Sequence, residues 1–84
     1  RPDRADARVA LGRVLIALDS SDAGARELAA AAADAPDDAW AHTWLGVARI
    51  DAGDARGATD ALATAVRLAP RLTEARLKLA EAQA

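Results

Sequence analysis

The stretch AWAHTWLGVARIDAGDARGATDALATAVRLAP, residues 39–70, decides the architecture. Ala41, Leu45 and Ala48 recur at intervals of four and three residues, which places them on one side of a helix. The run breaks at Gly53-Asp54, a glycine suited to end a helix followed by an acid suited to cap the next. Ala58, Leu62 and Ala65 then repeat the same intervals. The run stops ahead of Pro70, because a proline pushes the residue before it out of the helical region. The stretch therefore predicts two short helices joined by a tight turn.

Outward from this segment the chain repeats itself. A shift of 34 residues carries Leu11-Gly12 onto Leu45-Gly46, Ile16 onto Ile50, Leu28 onto Leu62 and Pro36 onto Pro70. Alanines 5, 7, 31 and 35 fall on 39, 41, 65 and 69, although such matches are cheap in a chain that is about a third alanine. A second shift of the same length sends Ala41, Leu45 and Ala48 to Ala75, Leu79 and Ala82. A period in this range is the signature of stacked helical hairpins. The units are 5–38, 39–72 and a half unit, 73–84, within a single domain.

Local signals agree. Pro2 suits a first helical turn. Val9, Leu11, Val14, Leu15 and Leu18 recur at helical spacing. Asp19-Ser20-Ser21-Asp22 is a polar break, with Ser21 or Asp22 as the expected cap of a second helix that runs to about Asp34. Asp37 or Asp38 is expected to cap a third helix ending near Gly53. The fourth runs to about Leu68, and the fifth starts near Leu72 and continues to the end of the chain. No strand signal interrupts the series. Gly12, Gly46 and Ala80 hold equivalent places on the first helices, where small side chains let helix backbones approach. Leu11, Leu45, Leu28 and Leu62 are expected to fill the remaining space. Each hairpin buries one face internally and another against its neighbour.

The segment 39–72, with Leu45-Gly46, Ala48, Gly53-Asp54, Ala58, Leu62, Ala65, Leu68 and Pro70, resembles the tetratricopeptide repeat family. The first unit resembles it at Leu11-Gly12, Leu28, Ala31 and Pro36, and departs at Gly24, where alanine is usual, and at Asp19-Ser20, where Gly-Asp is usual. Aromatic positions of that family are filled here by alanine, arginine and His42, which predicts a thin core. The resemblance implies an all-α fold of antiparallel helix hairpins, five helices stacked as a short right-handed α-solenoid. It also implies a scaffold for protein–protein interaction, with no enzyme activity.

Composition narrows the alternatives. There is no cysteine and a single histidine, so disulfides, thiolate chemistry and a histidine-based metal site are not expected, nor is any cofactor. The formal net charge is −2, without the clustered basic surplus of nucleic-acid modules. The longest apolar run, Leu28 to Ala33, is too short to span a bilayer. No signal-peptide pattern opens the chain, which favours a cytoplasmic location. The absence of methionine suggests a domain trimmed from a longer protein. Depletion of lysine, asparagine, phenylalanine and tyrosine against plentiful alanine, arginine and aspartate points to a GC-rich, bacterial genome.

The resemblance places a partner on the concave face lined by the first helix of each unit. There Asp6, Val9, Ala10 and Arg13 come from the first unit. Trp40, Thr43, Trp44, Val47, Ile50 and Asp51 come from the second, and Glu74, Leu77, Lys78 and Glu81 from the third. Val9, Arg13, Trp40, Thr43, Trp44, Val47, Ile50, Asp51, Leu77 and Lys78 are the candidate peptide-binding residues. Trp40 and Trp44 are the only aromatic residues and share a helix side. They either form an apolar shelf flanked by Arg13 and Lys78 or fill gaps between alanines. The clamp by which some members of that family hold a C-terminal carboxylate is not recognisable: Val9 and Trp44 occupy polar clamp positions, and Glu74 stands where a lysine is wanted.

Other chemistry is weaker. His42 has no second ligand beside it. Asp37 and Asp38 are adjacent and read as helix caps. The turn 19–22 lacks the alternating oxygens and glycine of a calcium loop. Ser20 and Ser21 have no histidine partner. Arg26, Glu27, Arg56, Asp60 and Arg67 read as a solvated face. A second functional reading is a self-assembly module pairing through its terminal helices, since such a stack has two open ends; a third is an accessory domain of a larger protein.

Overall fold

Each predicted helix forms, and its ends follow the local chemistry. The computed structural model describes residues 4–84, so Pro2 lies outside the described residues. Helix α1 spans Arg4–Ala17, α2 Ser21–Asp34, α3 Ala39–Asp51, α4 Ala55–Leu68 and α5 Thr73–Gln83, with no strand among the described residues. Asp38 caps α3: its carboxylate accepts from the Trp40 and Ala41 amides at 3.0 and 3.4 Å. Asp54 caps α4 by accepting from the Gly57 amide at 2.9 Å. These bonds satisfy amides that have no partner inside the helix.

Two boundaries differ from expectation. The residue that caps α2 is Ser20, one place earlier than predicted, and its side chain makes no capping bond. The N-cap of α5 is Leu72, which has no side-chain acceptor, so the helix proper starts at Thr73. The two turns inside the hairpins share one backbone shape. Gly53 has φ +84° and Asp19, its equivalent 34 residues earlier, has φ +64°. Glycine enters this left-handed region freely, and aspartate is among the few other residues that tolerate it.

The helices form two layers. Sequential neighbours all touch; α1 also touches α3, and α3 touches α5, whereas α2 and α4 make no contact of comparable extent. Thus α1, α3 and α5 lie side by side, with α2 and α4 behind them, as repeat stacking requires. Within each hairpin a leucine sits on a glycine. A Cβ built on Gly12 would fall on the Leu28 side chain, and one on Gly46 would fall on Leu62. Both leucines are fully buried. The core continues between hairpins, where Leu28, Ala31 and Ala32 of α2 cluster with Ala41, Leu45 and Ala48 of α3 and Ala61 of α4.

Leu11 departs from its expected role. It is 46% exposed, whereas its equivalent Leu45 is 4% exposed. Leu45 faces the α2 of the hairpin before it, and no described helix lies on that side of α1. Glu27, read from sequence as solvated, instead meets Arg8 at 3.5 Å, and Arg8 Nε also approaches Asp34 at 3.1 Å. These half-exposed pairs tie α1 to α2 but add little stability. The second hairpin uses Arg49, which donates to the Gly57 carbonyl at 3.1 Å. No helix among the described residues is long and apolar enough to cross a membrane.

Candidate functional site

The two tryptophans lie on different parts of the surface that α3 turns toward α1. Trp44 is half-buried: part of its indole packs against the inter-hairpin core and part stays open to solvent. Trp40, one turn earlier, is 46% exposed. Arg13 reaches from α1 and lays its guanidinium over the Trp44 ring, 4.6 Å from the centroid. A cation over an indole face is attracted by the ring quadrupole, by about 0.5–1 kcal/mol at an exposed site. The contact also holds a long side chain in one place at the mouth of the groove.

Two open cavities flank this pair. The larger, about 560 Å³, is lined by Ala10, Arg13, Val14, Ile16, Ala17 and Trp44. The smaller, about 360 Å³, is lined by Val9, Arg13, Trp40 and Trp44. Arg13 and Trp44 are common to both and form the wall between them. The groove exists because α1 and α3 touch only partly along their length, and the alanines facing it leave space that larger residues would fill.

Of the candidate residues, Val9, Arg13, Trp40 and Trp44 are brought together. Val47 and Ile50 are half-buried and Asp51 is exposed; none of them lines either cavity. Leu77 is 59% exposed on α5 and also lies apart. Lys78 is held by Glu81 at 3.1 Å, so its charge is partly engaged locally. Thr43 is a correction: it is 2% exposed, and its hydroxyl donates to the Ala39 carbonyl at 2.8 Å. Its hydroxyl is spent inside its own helix because α3, flanked by α1 and α5, buries the side on which Thr43 falls.

Val14, Ile16 and Ala17 line the larger cavity but were not among the candidates. The signal was available for two of them. Ile16 and Ala17 are the repeat equivalents of Ile50 and Asp51, which were included. His42 Nε2 lies 3.0 Å from the Pro36 carbonyl, where it must act as the donor, and so braces the turn before α3. Among the described residues no three His, Asp or Glu side chains gather as a metal-binding group. The chain matches no protein-family model and no curated protein.

Proposed function

We propose that this domain is a protein-interaction scaffold of the tetratricopeptide kind, a short right-handed solenoid that receives a peptide or protein segment between α1 and α3. One observation carries the reading: the Arg13 guanidinium stacked on Trp44 between two open cavities. Tryptophan and arginine are the residues most enriched at binding hot spots. Here the arginine is already ordered, so a ligand that meets it loses less freedom on binding. The larger cavity offers aliphatic walls for an apolar anchor, and Trp40 extends the apolar surface along α3. The groove supplies shape, one cation and two indoles, the kinds of contact that hold a ligand.

The test is a peptide-array screen followed by titration calorimetry. Trp40 and Trp44 are the only aromatic residues, so tryptophan fluorescence reports on this groove alone. Ligands should perturb that fluorescence. Arg13→Glu and Trp44→Ala should each weaken binding by about tenfold or more, with helical circular dichroism retained. Full affinity in both variants rules the groove out.

A further inference from the structure

Arg13 is the one charged side chain that lines the groove, and it has no carboxylate of its own. Every other residue lining the two cavities is an alanine, a valine, an isoleucine or a tryptophan. Among the described residues Arg13 has neither a hydrogen-bond nor an ion-pair partner; what holds it is the Trp44 ring. Arg8, Arg49 and Lys78, on the same layer of helices, are each engaged within the fold. Arg8 meets Glu27 and Asp34, Arg49 donates to the Gly57 carbonyl, and Lys78 meets Glu81. A guanidinium over an indole spends its flat face there and keeps its N–H donors, which lie at its edge. A carboxylate is the group that matches two of those donors at once.

The position of Arg13 says more than its charge does. With Trp44 it forms the wall between the two cavities. A carboxylate set on Arg13 therefore has apolar walls on both sides: Val14, Ile16 and Ala17 one way, Val9 and Trp40 the other. A chain-terminal carboxylate would leave one cavity empty, since no residue follows it. A phosphate dianion is matched by a cluster of cations, and Arg13 stands alone. A run of acids gains nothing further, because no second cation lines the groove and the chain itself carries a formal net charge of −2. We infer that the groove takes an internal segment of a partner protein in which one aspartate or glutamate stands between two apolar side chains. The carboxylate pairs with Arg13, and the apolar side chains enter the two cavities. The inference rests on the reading of this groove as the binding site.

End-blocked peptides with one glutamate and two leucines are the probes. In one series the leucines stand two residues to either side, which puts all three side chains on one side of an extended chain. In the other they stand four residues to either side, as on one face of a helix. In one series, binding read by tryptophan fluorescence should weaken about tenfold or more when glutamine replaces the glutamate, and further with lysine. Arg13→Gln should erase the preference for glutamate over glutamine, with helical circular dichroism and Tm retained, as the coupled pair in a double-substitution cycle requires. A peptide that ends at the acid with a free carboxylate, and so has a leucine on one side only, should bind more weakly than the blocked peptide. Equal binding of the glutamate and glutamine peptides overturns the inference, and so does a preference that survives Arg13→Gln. Equal or tighter binding of the free-carboxylate peptide overturns the choice of an internal acid, and binding by neither series overturns the inference as a whole. The two levels separate cleanly. Glutamate and glutamine peptides that bind alike and are both lost in Trp40→Ala reject the acidic ligand and keep the groove, whereas binding untouched by Trp40→Ala and Trp44→Ala rejects the groove itself.

Discussion

Gly12 and Gly46 matter for the atom they lack. Each leaves room for a fully buried leucine from the second helix of its hairpin, and a Cβ would occupy that leucine's place. Gly46→Ala should therefore destabilise the domain by about 1–3 kcal/mol through overpacking, even though alanine is the better helix former; urea unfolding measures it. The tryptophans separate in the same experiment. Trp44→Ala removes an indole packed on the core and should cost about 1–3 kcal/mol. Trp40→Ala, at a position 46% exposed, should change stability by no more than about 0.5 kcal/mol. Trp40→Ala is thus the cleaner probe of the proposed binding, because Trp44 also packs on the core.

At the scale of elements, the two hairpins are natural variants of one design. The α3–α4 turn uses Gly53 for the left-handed residue and Asp54 for a cap that accepts the Gly57 amide. The α1–α2 turn puts Asp19 in the strained position and Ser20 at a cap that bonds nothing with its side chain. The first hairpin is therefore the less well closed. Asp19→Gly relieves backbone strain, and Ser20→Asp supplies the missing acceptor together with a favourable charge at the helix start. The double substitution should stabilise the domain by about 1–2 kcal/mol, seen as a rise in Tm by calorimetry. Asp38→Ala should do the reverse by about 1 kcal/mol, because it leaves two amides of α3 without their acceptor.

For the molecule as a whole, position in the stack sets the worth of a residue. Leu11 and Leu45 are repeat equivalents, each followed by glycine. Leu45→Ala should cost about 2–4 kcal/mol, since it empties a buried site in the inter-hairpin core. Leu11→Ala, at a position 46% exposed, should cost no more than about 0.5 kcal/mol. Chemical denaturation of the two variants side by side tests this, and equal losses would contradict the open face of α1. Stability here is a sum of hairpin and interface terms, so a helix that touches two others contributes less than α3, which touches all four.

Much of this was legible in the sequence. The 34-residue shift, the break at Gly53-Asp54 and the prolines at 36 and 70 were sufficient for five helices in hairpins, because capping, backbone conformation and apolar spacing act over a few residues. The small-residue positions at 12 and 46 were legible for the same reason. Local patterns did not place Thr43 inside, leave Leu11 bare or bring Ile16 and Ala17 to the groove. Periodicity says which side of a helix is apolar; it does not say which neighbour covers it. The pairing of Arg13 with Trp44, 31 residues apart in the chain, exists only once α1 and α3 lie side by side. The sequence by itself determined the helices, their ends and the repeat, since these rest on local chemistry. Only the tertiary structure decided which apolar residues became core, which became groove and which were left open, since burial depends on what each helix packs against.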